Sequence, residues 1–180
     1  MAMRKIAFAL ITLGAAIAIT GGSFELAAWK GQSDARARWE AEGHEAGKPE
    51  FFTRLSFPAK GEDFIVADGA SEDALLRGPA RVAWSVAPGE NGNCIIAAHR
   101  DTHFRVLQDV KKGEEITLER NGQTYRYRIV QLQVVQPADS TFYQPTSAPV
   151  LTLVTCYPFS YFGKAPQRFI VRAELLESNS

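Results

Sequence analysis

From Phe51 onward, apolar residues come in short runs, each closed by a turn-forming residue. Leu55-Ser56-Phe57 ends at Pro58, and Phe64-Ile65-Val66-Ala67 ends at Asp68-Gly69. Arg81-Val82-Ala83-Trp84-Ser85-Val86 follows Gly78-Pro79, and Cys94-Ile95-Ile96-Ala97-Ala98 follows the polar stretch Gly89 to Asn93. Glu115 to Arg120 and Thr124 to Val130 flank Asn121-Gly122, the strongest short hairpin signal. Gln131 to Val135 prolongs the second of these, and Val150 to Thr155 and Arg168 to Leu176 complete the set. About eight short strands with few long helical periods predict an all-β barrel or sandwich. Leu75-Leu76 and Phe104 to Leu107 read as single helical turns.

The N-terminal pattern is different. Arg4 and Lys5 precede Ile6 to Phe24, nineteen residues without a charge. Such a run is close to the roughly 20 residues that cross a bilayer as a helix. A cleavable signal shares this start, and Ala16-Ile17-Ala18 resembles a small-residue cleavage site. A retained anchor is the preferred expectation, with Arg4 and Lys5 cytoplasmic and the remainder exported. Glu25 to Glu42 then reads as a polar helix leading away from the membrane, with Trp29 at the interface. Gly43 to Pro49 reads as a flexible break. The expected organisation is a signal anchor over 1–29, a polar stalk over 30–50 and a catalytic domain over 51–180. His44 reads as a solvated linker histidine.

Composition narrows the function. The 180 residues suffice for one domain of ordinary size plus an appendage. Twenty basic and twenty acidic residues cancel, so nothing points to nucleic acid as a partner. Two cysteines, Cys94 and Cys156, are too few for a disulfide framework or a cysteine-based zinc site. A Cys94–Cys156 bridge stays open by arithmetic, and it would silence Cys156, the thiol of most interest.

Leu151-Thr152-Leu153-Val154-Thr155-Cys156 favours an extended chain, and Pro158 cannot donate to a neighbouring strand. Cys156 is therefore expected at the rim of a sheet, where a thiol is both held and reachable. The alternative is a buried, inert cysteine. His99 likewise ends an apolar run, and a strand-end imidazole can exchange a proton with a strand-end thiol. A histidine satisfied by backbone is the competing reading. His99 and His103 share a four-residue spacing, but no third ligand accompanies them, and no metal is expected. Asp101 reads as a loop cap rather than an acid that orients His99. Arg168 opens the last strand, where a fixed cation can stabilise an oxyanion. Arg172 shares its strand face but lies farther from the end.

Together these residues resemble a sortase. Thr152-Leu153-Val154-Thr155-Cys156 matches the family's TLxTC motif position by position, Arg168 matches its downstream arginine, and His99 its histidine segment. Leu76-Arg77-Gly78-Pro79-Ala80, Pro88-Gly89-Glu90 and Leu55-Ser56-Phe57-Pro58 support the match over about residues 51 to 176. His99-Arg100-Asp101-Thr102-His103-Phe104 and Cys156-Tyr157-Pro158-Phe159 look most like the class GN (Gram-negative, marine proteobacterial) sortases. Ala98 stands where sortases often carry glycine. No acidic cluster resembles a calcium site, so no cofactor or metal is expected.

The resemblance implies a closed eight-stranded β-barrel behind a transmembrane helix. It implies a cysteine transpeptidase acting on a protein with an LPxTG-like sorting signal. Cys156 forms the thioester, Arg168 steadies the oxyanion, and His99 shuttles the proton to and from an amine acceptor in the cell envelope. Thr155, Tyr157 and Ala98 are the expected substrate contacts. The substrate is expected to lie between the segment Val135 to Val150 and the loop Tyr157 to Gln167. The location implied is the inner membrane, with the catalytic domain extracytoplasmic.

Other classes fit less well. An L,D-transpeptidase carries Ser-x-Gly-Cys-x-Arg, which is missing here, and a papain-like hydrolase has its cysteine at a helix start, ahead of the histidine. A membrane-tethered β-barrel binding module with a degenerate site remains, and thiol reactivity separates it from an enzyme.

Overall fold

The computed structural model describes residues 22–41 and 51–179. Its strands are β1 (Phe51–Phe57), β2 (Glu62–Asp68), β3 (Ala80–Arg81), β4 (Gly92–Ala97), β5 (Glu115–Arg120), β6 (Gln123–Val135), β7 (Pro149–Tyr157) and β8 (Gln167–Asn179). They close into an eight-stranded barrel in the order β1-β2-β3-β4-β7-β8-β6-β5. The β2–β3 and β4–β7 pairs are parallel, and the others are antiparallel. The Asn121-Gly122 hairpin forms as expected, pairing Arg120 with Gln123. Asn121 and Gly122 both take positive φ, 51° and 75°, the signature of a type I′ turn. Helix α1 covers residues 22–41, and α2 is Glu72–Arg77, capped by the Ser71 hydroxyl, which accepts from Ala74 N. Two 3₁₀ segments, His103–Asp109 and Thr141–Tyr143, follow β4 and β6.

Two apolar clusters define the layers. Leu55, Phe64, Ile96, Leu118, Tyr127, Leu153 and Val171 belong to the cluster that fills the barrel. Alternate residues point outward, and there Ile95, Val135, Phe142, Val154 and Ile170 form a second, smaller cluster. Strand β7 is thus buried on both faces, which explains its unbroken apolar run.

One predicted strand is mostly a turn. Of Arg81 to Val86, only Arg81 joins the sheet. Ser85 N donates to Val82 O at 2.9 Å, and the Ser85 hydroxyl donates to the same oxygen at 2.8 Å. That hydroxyl also accepts from Ile95 N at 3.2 Å, occupying a donor a neighbouring strand would have used. A serine that offers the backbone local partners competes with the ladder.

The polar helix also departs from expectation. The pattern reads as a stalk leading away from the membrane, whereas α1 packs against the barrel. Ala28 and Ala35 are buried, and Gln32 acts as a missing strand neighbour for β2. Its amide donates to Ile65 O at 3.0 Å and accepts from Ile65 N at 2.8 Å. Strand β2 meets β3 only at Ala67 and Asp68, so this amide covers an edge otherwise left open. Gly31 permits the approach, since a Cβ there would come within 2.7 Å of Arg77 Cβ. The Arg36 guanidinium lies 3.6 Å from the Asp63 carboxylate. The expected membrane segment falls almost wholly outside the described residues, as do 42–50 of the expected stalk. Among the described residues, no helix is long and apolar enough to cross a membrane.

Candidate active site

The site is a row across the ends of three adjacent strands. Strands β4 and β7 run parallel in a register that pairs Ala97 with Val154. Ala98 N donates to Val154 O at 3.3 Å, and the Thr155 hydroxyl donates to Ala98 O at 2.8 Å. Carried two residues beyond Ala97, that register aligns His99 with Cys156. On the other side of β7, Cys156 pairs directly with Arg168. Side chains alternate along a strand, so Cys156 shares the outer face with Val154, His99 with Ile95, and Arg168 with Ile170. Neighbouring strands lie about 4.8 Å apart, so one substrate can meet all three groups. Thiol, imidazole and guanidinium therefore stand beside the outer apolar cluster.

The cysteines differ sharply. Both are free, Cys156 half-buried and Cys94 inside the barrel. Burial pushes the Cys94 thiol up to about 12, which removes it as a nucleophile. Arg168 Nη1 donates to Gln167 O at 2.9 Å and more weakly to Ala165 O at 3.5 Å. Among the described residues no carboxylate pairs with it, so its charge is not neutralised before an oxyanion forms. Asp101 does not orient His99, because its carboxylate accepts from Arg100 Nε at 3.0 Å. The neighbour of His99 is instead Phe24 of α1, whose ring sits edge-on with centroids 5.5 Å apart.

The expected substrate contacts serve other purposes. Thr155 and Ala98 are buried, and the bond between them braces the two strand ends that carry Cys156 and His99. Ala98 points into the barrel core, which leaves its side chain no route to a substrate. Tyr157 stacks on Phe169 at 6.1 Å and meets Phe159 edge-on at 5.9 Å, an aromatic plug beside the nucleophile. The other motif threonine, Thr152, donates to Asn93 Oδ1 at 2.7 Å. Asn93 Nδ2 donates onward to Phe142 O at 2.8 Å and Gln144 O at 3.2 Å. This buried relay fixes the β6–β7 loop, which places Phe142 and Tyr143 over the outer cluster, with Trp84 edge-on to Tyr143. Asn93 was not singled out from the sequence. Its signal is a buried polar residue heading an apolar run, opposite Thr152 once the register is known.

His103 is buried, edge-on to Phe64, and 3.1 Å from the Thr102 hydroxyl. Burial lowers it from 6.5 to about 4, against the opposing bond to the Ala28 backbone, and the charge on His99 adds to the lowering. With the folded value below the unfolded one, the unfolded chain takes up the proton first as pH falls. The neutral ring's contribution is complete above about 6.5 and is lost as pH drops toward about 4. Urea unfolding should show His103 removing about 2 kcal/mol between pH 7 and pH 4.5. The variant His103→Gln should lose that part of the decline; an equally steep decline in both proteins would exclude His103 as its source.

A thiol, an imidazole and an unneutralised guanidinium in one row on a closed barrel are the layout of a thiol-dependent acyl-transfer enzyme. The sortase domain model matches residues 55–176, and the chain belongs to the sortase family, a family of cysteine transpeptidases. It is 33% identical to sortase D of Bacillus subtilis (strain 168) over 118 residues, covering 65% of this chain and 60% of that protein. Sortase A of Bacillus anthracis is 26% identical over 133 residues, 72% of this chain and 61% of that one. The chain thus spans about 60% of the length of these curated relatives. Among solved structures, the catalytic domain of B. anthracis SrtD is 32% identical with a TM-score of 0.64, covering 77% of this chain and 95% of that one. A Clostridium perfringens sortase D5 transpeptidase shares the fold, with a TM-score of 0.67 at 23% identity, covering 86% and 99% of the two chains.

Proposed function

We propose that this chain is a membrane-anchored transpeptidase that cleaves an LPxTG-like sorting signal and transfers the acyl part to an amine acceptor in the cell envelope. The observation that carries this is the row formed by His99, two residues past the end of β4, with Cys156 on β7 and Arg168 on β8. The Cys156 thiolate attacks the carbonyl carbon of the Thr–Gly bond, and the electron pair moves onto oxygen beside Arg168. The tetrahedral species collapses to a thioester, and His99 gives its proton to the departing amine. The acceptor amine then attacks the thioester, His99 takes the amine's proton, and Cys156 leaves as thiolate. Residues 6–24 would hold the enzyme in the inner membrane with the barrel outside the cytoplasm, as their uncharged length suggests. A class GN assignment rests on the segments His99 to Phe104 and Cys156 to Phe159.

The test is intact-mass analysis of the full chain incubated with an LPxTG-like peptide. A mass increase equal to the N-terminal peptide fragment supports the thioester; no adduct across a varied peptide panel would remove this reading. Thiol labelling supplies a second check. Iodoacetamide should modify Cys156 in the native protein, whereas Cys94 should react only in denaturant, at least about a hundredfold more slowly when folded. Equal labelling of both thiols would contradict the burial of Cys94.

A further inference from the structure

The residue after the histidine is an arginine that the mechanism leaves unused, and it is 7% exposed. Arg100 Nη2 donates to Tyr161 O at 2.9 Å and to Gly163 O at 3.2 Å. Its guanidinium carbon lies 5.8 Å from the centre of the Tyr161 ring, within cation–π range. Both partners belong to the β7–β8 loop, residues 158–166, which begins two residues after Cys156 and ends two before Arg168. This loop presents Phe162 fully to solvent and Tyr161 half-exposed. Arg168 bonds the same loop at Ala165 O. The loop joining nucleophile to oxyanion cation is therefore gripped by an arginine adjacent to the catalytic imidazole.

That grip is costly. Among the described residues, Asp101 is the one carboxylate that meets Arg100, and it is more than half exposed, so a nearly buried charge has only a largely solvated partner. Among the described residues, Arg100 Nη1 is buried without a hydrogen-bond partner. A group held at such expense against an exposed loop points to a geometric requirement on that loop. We infer that Arg100 is a positioning residue: it pins the β7–β8 loop to the His99 strand end and so fixes the wall against which the peptide binds. This deepens the transpeptidase reading and rests on it. Lysine is not equivalent, because its ammonium lacks the planar fork that bonds the two carbonyls through Nη2, meets Asp101 through Nε and faces the Tyr161 ring at the same time.

The experiment compares the full chain with Arg100→Lys and with Tyr161→Ala, which removes only an exposed ring. Chymotrypsin cleavage after Tyr161 or Phe162 should accelerate about tenfold in Arg100→Lys, at unchanged melting temperature. The KM for the sorting peptide should rise about tenfold while kcat stays within about threefold. Tyr161→Ala, scored by cleavage after Phe162 and by KM, should move both readouts in the same direction by less. Cleavage and KM matching the wild type in both variants would overturn the proposal, as would faster cleavage with unchanged KM. If Arg100→Lys unfolds, the Tyr161→Ala result decides. Faster cleavage in a chain whose wild type forms no thioester would sink the transpeptidase reading instead and leave the pinned loop standing.

Discussion

Replacing Cys156 with alanine should abolish thioester formation and lower turnover by at least about a thousandfold. Cys156 is the reachable thiol, since Cys94 sits in the barrel core with its thiol pushed up to about 12. No second nucleophile stands in the row. The fold should survive, because the side chain is half-exposed at a strand end and the change removes one atom. Stability should stay within about 0.5 kcal/mol of the wild type, measured by urea unfolding. An alanine variant that still acquires the peptide's mass would transfer the reaction to another group.

Arg168→Ala should lower kcat/KM by about a hundredfold to a thousandfold, the usual loss when one oxyanion donor is removed. The loss should fall on acylation, so single-turnover mass spectrometry should show slow adduct growth. Arg168→Lys should recover part of the rate, because it restores the charge but not the planar fork. Arg168 also holds the Gln167 and Ala165 carbonyls, so a loop defect needs separating from an electrostatic one. A loop defect alone would leave lysine no better than alanine. Arg172 pairs with Thr152, four residues deeper along the strand, and serves as the control. Its alanine variant should retain most activity.

Much of this site was legible in the chain. Cys156 and His99 sit where an apolar run stops and Arg168 where one starts, and a strand end is readable because Gly, Pro and Asp interrupt the pattern sharply. The hairpin at Asn121-Gly122 was legible for the same local reason. Side-chain bonds across long stretches of sequence were not. The resemblance made Thr155 an expected substrate contact, yet its hydroxyl is committed to Ala98 O, far away in sequence. Gln32 made α1 look like any polar helix, although its amide completes the edge of β2. Ser85 ended a strand that its β-branched neighbours favoured, by capturing Val82 O and Ile95 N. Composition and period register what a residue prefers; they do not register which distant backbone atom it meets.

Helix α1 carries one more implication. Phe24 closes the uncharged run, and its ring touches the imidazole of His99. If that run spans the bilayer as proposed, no spacer separates the lipid surface from the reacting groups. The enzyme could not reach outward for its partners; both would have to be delivered to the plane of the headgroups. A sorting signal standing just outside its own membrane segment would arrive at the right height, while one carried far out on a long folded domain would have to bend back. The distance between signal and membrane would then select substrates alongside the signal's own sequence.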